Sequence, residues 1–559
     1  MVRLIHQLGN DKIQKDVKEA DFLLSNKKGG YLYMGENPKT KYHGFFIHGG
    51  VRQYKTLENI HLPGEVTRVI NKFSSVIRER GKATEEFTLP HGYESFIYDL
   101  KGYNGELIIT MDCRGAYDNE DWGRFYNVII NDNQVIVNFE KQSNYALTFV
   151  ITGKKIKAEK IREWEPREYE LDKARNAESS RYVYKALKLY IEGDTTLVFS
   201  SSTEKDKAIE EGSYVFRNIN KLKRKQSNSI ICKKGIKNKE QRMAYNACLN
   251  SLNGLLVDVN GRTGIFAGFP WFFQFWARDE LISLKAFGKK SEVKMILMEN
   301  FKKLQENGQM PARDPGVPQG CADGVGWFYK RFGKKEKLDV MIKAIKDNYA
   351  AETGLINNKD KETWMDSISR DGARIEIQAM FLNMLKLAGL KEEEAAFREK
   401  VREVFWNGKW LADGAGDWTI RPNVFIAYYI YPELLSNDEW KRCFRNILPK
   451  LWCNWGGIST LDKNSKSFFS ESTGQNADSY HSGDSWFYLN NMAALAMRQA
   501  DKKLFAPRIK KMIEASVYEI LWMGIAGHHA ELSSAKLLRS EGCRCQAWSA
   551  AMFVELMGS

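Results

Sequence analysis

Three stretches of this chain place aromatic and ionisable side chains close enough together to do chemistry. The first, Gly268-Phe269-Pro270-Trp271-Phe272-Phe273-Gln274-Phe275-Trp276-Ala277-Arg278-Asp279-Glu280, runs from a turn signal through packed aromatics into an Arg-Asp pair. Such a mixture suits a sugar: pyranose rings present apolar C–H faces to aromatic rings, and their hydroxyls need fixed donors and acceptors. The same aromatics read without their neighbours are simply core. The second stretch, Glu362-Thr363-Trp364-Met365-Asp366-Ser367, puts a carboxylate beside a Trp in a loop. An apolar neighbour raises a carboxyl pKa, as a general acid requires, although Asp366 taken alone reads as an ordinary helix cap. In the third, Ser479-Tyr480-His481-Ser482-Gly483-Asp484-Ser485-Trp486, a histidine stands beside Tyr, Asp and Trp, which makes His481 a candidate ligand for sugar hydroxyls.

Cleaving a glycosidic bond needs two carboxyl groups, one protonated to assist the leaving oxygen and one ionised. The chain has 70 acidic residues, so context must choose among them. Glu376 opens a helix, where the dipole favours an acid. Arg421 and Asn423, in Asp417-Trp418-Thr419-Ile420-Arg421-Pro422-Asn423, suit support of the acid loop better than contact with a ligand. His528 and His529, in Gly527-His528-His529-Ala530-Glu531, are adjacent and so do not share a helix face as metal ligands at i and i+4 would.

Two kinds of element must position these residues. Up to about residue 220 the apolar pattern has period two, with turn signals at short intervals. Residues 126–130 and 134–139 around Asn131-Asp132-Asn133 read as a hairpin, and 107–111, 145–151, 182–191 and 195–199 as further strands, giving a β-sandwich. Near its start, Gly29-Gly30-Tyr31 and Lys41-Tyr42-His43-Gly44 read as strand-turn-strand with a buried His, and lack the frame of a phosphate loop. The polar, basic segment 220–228 reads as a linker, so domains of 1–225 and 226–559 are expected. After about residue 236 the spacing changes to three and four, with about twelve helical segments by pattern, among them 239–252, 279–287, 292–305, 338–349, 376–387, 486–498 and 546–556. Helices in that number with motifs in the intervening loops fit an (α/α)6 toroid. The expected fold is therefore an α+β multidomain chain, a β-sandwich followed by that toroid.

Composition narrows the class further. With 559 residues, 43% hydrophobic and 28% charged, the chain is globular and large enough for two cores. No apolar run reaches the ~18 residues of a membrane span, the start lacks a signal-peptide core, and there is no Asn-x-Ser/Thr acceptor, so a cytoplasmic location is expected. Eight scattered cysteines without a Cys-x-x-Cys pair give neither a zinc site nor a disulfide framework. The net charge of +14 is spread along the chain, which fits a solvated Lys-rich surface better than a nucleic-acid stripe.

The Gly-Phe-Pro-Trp-Phe and Trp-Ala-Arg-Asp segments resemble the glucosidase part of glycogen-debranching enzymes, the amylo-α-1,6-glucosidase family within the glucoamylase-like superfamily. Thr-Trp-Met-Asp, Glu-Ile, Arg-Pro-Asn, Tyr-His-x-Gly, and Gly-x-x-x-Glu-Leu with Gln-Ala-Trp-Ser follow in the family's order, and Gly-Gly-Tyr with Tyr-His-Gly resembles its N-terminal domain. Ala277 replaces a usual Gly, and Phe487-Tyr488 stand where many relatives have Pro-Trp. The resemblance implies that Asp366 is the general acid, Glu531 the general base for water, and Arg278 with Asp279 the clamp on the terminal glucose. Trp271, Trp276, Trp364, Trp486, His481 and Asp484 complete the substrate-binding set, with Glu376 behind the pocket wall. It further implies an inverting, cofactor- and metal-free removal of α-1,6-linked glucosyl stubs from branched α-glucan. A glucoamylase-like exo-α-1,4-glucosidase and a glucan-binding module without catalysis are the alternatives. Oligomeric state is open.

Overall fold

The computed structural model describes residues 1–50, 52–142, 144–314, 320–474 and 476–559. By its contacts the chain forms two units, Met1–Arg262 with Ile520–His528, and Thr263–Glu519 with His529–Ser559.

In the first unit, alternation of apolar and polar residues produces strands buried on one face, as in Val76–Arg80. They assemble into a ten-stranded and a seven-stranded sheet. The hairpin around residues 131–133 forms with Val128 opposite Val137 and Tyr126 opposite Phe139. The sheets pack face to face through aromatic pairs: Phe45 meets Phe96 and Phe22 meets Phe87, each at 5.1 Å between centroids, and Tyr126 stacks on Tyr184 at 4.4 Å. This is the β-sandwich. His43 lies fully inside it, in the bend between strands Tyr31–Met34 and Gly44–His48.

The basic segment at 220–228 is not an extended linker. It forms the helix Ile219–Asn228, which buries Leu222 and Gln226. The helix Lys239–Leu255 also belongs to the sandwich unit. Arg242 pairs with Asp11 at 2.7 Å, Ser25 donates to the Gly254 carbonyl, and Lys27 donates to Asn253. Composition marks a change at 225/226, whereas contacts divide the chain after Arg262, because a helical period does not reveal which core a helix packs on.

In the second unit, the helices Ala277–Ser283, Gly324–Phe332, Ile375–Ala388, Asn423–Ile430, Phe487–Asp501 and Ala547–Gly558 touch one another in that order, and the last closes back on the first. Several are apolar almost all round; every residue from Asn423 to Ile430 is buried, as expected of an inner ring. Outside it lie one-sided helices such as Lys391–Phe405, which buries only Phe397, Val401 and Phe405, spaced four apart. The unit is an (α/α)6 toroid. Two-residue antiparallel clips tie down the entries to four inner helices: Phe275–Trp276 with Arg313–Asp314, Gly372–Ala373 with Asn357–Asn358, Ser485–Trp486 with Leu532–Ser533, and Cys545–Gln546 with Gly268–Phe269. Trp276 with Arg278 and Asp279, Trp486, and Gln546 with Trp548 lie at these entries. Among the described residues no helix is long and apolar enough to cross a membrane.

Candidate active site

The loop carrying Asp366 is held by a buried network. Arg370 donates to both oxygens of Glu376, at 2.8 and 3.2 Å, to both oxygens of Asp413, at 3.0 Å each, and to Thr363 Oγ1 at 2.9 Å. Asn423 donates to Asp413 at 2.6 Å and accepts from the Trp364 indole at 2.8 Å. Charge-assisted, two-pronged pairing of this kind is directional and fixes the backbone that bears it. Ser367, next to Asp366, bonds His481 Nδ1 at 2.7 Å. Asp366 itself is partly open. Burial pushes its carboxyl pKa upward, against the opposing pull of the Arg278 guanidinium.

Glu531 comes from the other side of the sequence. It is buried, accepts from Tyr480 Oη at 2.6 Å through one oxygen, and accepts from the Cys543 backbone N–H at 2.8 Å through the other. Its main chain is fixed as well, donating to the Cys543 carbonyl at 2.8 Å and accepting from Phe487 N at 3.1 Å. Gly542 has φ +65, and a Cβ there would lie 2.3 Å from Glu531 Oε2, so the carboxylate occupies space that only glycine leaves. Burial, then the nearby Glu531 charge, carries the Tyr480 phenol pKa well up, so Tyr480 stays a donor.

The Arg-Asp pair sits at the start of the Ala277–Ser283 helix. Arg278 Nε donates to Asp323 at 2.7 Å; burial works against its charge, but Asp323 outweighs that and holds the guanidinium ionised. Asp279 is pushed up to about 8 by burial, despite Arg278, with Glu531 adding to the rise, and it accepts from Gln546 at 3.0 Å. Arg278, Asp279, Asp366 and Glu531 all line one pocket. Its aromatic walls are Phe272, Trp276, Trp364, Trp486 and Trp548, and Tyr480 and Gln546 also line it. Trp276 Nε1, Trp548 Nε1 and Gln546 Oε1 are buried without a hydrogen-bond partner among the described residues, leaving two donors and an acceptor for a ligand's hydroxyls. Among the described residues no group of three or more His, Cys, Asp or Glu side chains is disposed to hold a metal.

Residues 331–555, which include Asp366 and Glu531, match the family model described as amylo-alpha-1,6-glucosidase. That segment is an amylo-alpha-1,6-glucosidase family domain. The protein is thus a glycoside hydrolase. Among solved structures, a bacterial glucoamylase complexed with acarbose is similar over 98% of this chain and 95% of its own, with a TM-score of 0.65 at 12% identity. No curated protein matches the chain in sequence.

The pocket takes up Trp276, Arg278, Asp279, Trp364, Asp366, Trp486 and Glu531 from the expected set, and four other expected residues fall outside its lining. Glu376 is fully buried against Arg370 and braces the acid loop. His481 is also fully buried, stacked on Trp486 at 5.1 Å, with its imidazole pKa held down by burial and then by nearby arginines. It is therefore placed to orient Ser367 rather than a sugar. Asp484 is pushed up to about 8 by burial and accepts from Ser479 at 3.0 Å, inside the loop it stabilises. Trp271 packs edge-on against Phe272, 6.5 Å between centroids, and it is Phe272 that reaches the pocket.

The histidines before Glu531 also have other partners. His528, half-buried, bonds Ser251 Oγ at 2.8 Å within the sandwich unit, and the fully buried His529 pairs with Glu519 at 2.6 Å. Sequence reasoning passed over Asp323, Tyr480, Gln546 and Trp548 as site residues. Tyr480, Gln546 and Trp548 lie inside motifs that resemble the family's; Asp323, in Cys321-Ala322-Asp323-Gly324, has no local signal at all.

Proposed function

We propose that the protein is an inverting, exo-acting glucosidase that removes single α-1,6-linked glucosyl stubs from a glycogen-like branched glucan. The observation that carries this reading is the meeting of Asp366 and Glu531, from loops 165 residues apart, at one aromatic-walled pocket with Arg278 and Asp279. Asp366, with its pKa raised by burial, protonates the leaving oxygen. Glu531, oriented by Tyr480 and the Cys543 N–H, takes the proton from water. Arg278, Asp279 and Gln546 hold the terminal glucose, while Trp276, Trp364, Trp486 and Trp548 enclose its apolar faces. Exclusion of bulk water strengthens each of these contacts as charge develops on the sugar.

The experiment is release of free glucose from phosphorylase limit dextrin compared with linear maltodextrin. Preference for the limit dextrin supports debranching; preference for maltodextrin favours an exo-α-1,4-glucosidase, the second reading, which the likeness to a bacterial glucoamylase motivates. Glucan binding without glucose release from either would leave a binding module. Inversion requires β-glucose as the first product, read by proton NMR, with the two carboxyls roughly 6.5–9.5 Å apart.

A further inference from the structure

The sandwich unit has a solvent-open cleft bounded by the hairpin turn after strand Arg124–Ile130, the loop after strand Tyr145–Thr152, and the helix Lys205–Arg217. Its inner surface is built. Gln134 Nε2 donates to Ser213 Oγ at 3.1 Å and to Thr152 Oγ1 at 3.4 Å, and Ser200 Oγ ties the helix down through the Ala208 carbonyl at 2.8 Å. Phe216 is seated against the core cluster of Ile97, Val198, Val215 and Leu222, yet it also lines the cleft.

The rim differs from this interior. Asn131, Asp132, Lys154 and Arg217 are exposed, and their side chains make no hydrogen bond or ion pair among the described residues. One amide, one carboxylate and two cations around a fixed phenyl ring supply donors and acceptors together. A phosphate or sulfate would meet the Asp132 carboxylate, whereas a neutral ring with hydroxyls at its edge and an apolar face satisfies every group.

We propose that this cleft is a second α-glucan site, distinct from the Asp366–Glu531 pocket, which keeps the enzyme on its polymer through contacts with Phe216 and the Asn131, Asp132, Lys154 and Arg217 side chains. The proposal rests on the glucan reading above for the identity of the ligand. A second point of attachment raises avidity for a polymer without altering the chemistry on a short substrate.

The test compares the full chain with its Asp132→Ala/Arg217→Ala double variant, both changes being at exposed side chains. The expected result is that native gels containing glycogen retard the wild type, that the variant's apparent Kd is about tenfold weaker, and that kcat/KM on a short singly branched malto-oligosaccharide is unchanged. Equal retardation of the two proteins overturns the proposal. So does protection of the wild type, but not of the variant, by inorganic phosphate in a thermal-shift assay when glycogen has no effect. Loss of retardation in the variant, in a protein that releases glucose from no glucan, supports the cleft and refutes the hydrolytic reading instead.

Discussion

Gly542→Ala tests how Glu531 is held. The added Cβ would lie 2.3 Å from Glu531 Oε2, and contacts under 3.0 Å are essentially never seen, so the carboxylate must retreat by about 0.7 Å. The bonds at stake are those from Tyr480 at 2.6 Å and Cys543 N at 2.8 Å, which hold the carboxylate proposed to activate water. A displacement approaching 1 Å in a reacting group costs about 100-fold in rate, or about 2.7 kcal/mol of transition-state stabilisation. Alanine at φ +65 adds about 1–2 kcal/mol of backbone strain in the folded state, which lowers Tm by a few degrees without unfolding the chain at 25 °C. The assay is kcat on limit dextrin and on α-glucosyl fluoride, with Tm alongside. Both substrates should lose about 100-fold, because water must be activated whatever group leaves. A variant with an intact Tm and kcat within about threefold of wild type would refute the claim that the space left by Gly542 positions the Glu531 carboxylate, since the clash would then have been absorbed without consequence for catalysis.

Other substitutions separate the remaining roles. Asp366→Asn should lose hydrolysis of natural glucan by several orders of magnitude while largely sparing α-glucosyl fluoride, whose leaving group needs little protonation, whereas Glu531→Gln should lose both; the opposite pattern would exchange the two assignments. Asp279, with its folded pKa raised to about 8, binds a proton that the unfolded chain has released above about pH 4, so its contribution to stability declines as pH rises from about 4 to 8. Asp279→Asn should therefore raise Tm at pH 8 by a few degrees, flatten the pH dependence of Tm in that range, and weaken activity; an unchanged profile in differential scanning calorimetry would contradict the buried-acid assignment. A fragment of residues 226–559 strips Arg242 of Asp11 and His528 of the Leu23 carbonyl, and should be recovered insoluble or with reduced activity; a soluble, fully active fragment would show that the sandwich is dispensable.

The order of elements was legible in the sequence because burial imposes a local period. Alternation over 126–130 and 134–139 pointed to the hairpin, whose register of Val128 opposite Val137 the structure supplies, and three-four spacing pointed to Leu338–Tyr349 as a helix, since both follow from side chains pointing at one neighbouring surface. For the loops, the residues around Asp366 by themselves read as an ordinary helix cap, and Asp366 and Glu531 were both singled out only through likeness to a family. Tertiary structure alone decided that Arg278, Asp366 and Glu531 share one pocket, that Asp323 pairs with Arg278, and that Tyr480 rather than His481 contacts Glu531. It also drew His481, Asp484 and Glu376 into buried bracing and assigned the helix Lys239–Leu255 to the sandwich unit. The physical reason is the same in each case. Which way a loop side chain turns depends on partners tens to hundreds of residues away, and no local period or composition records them.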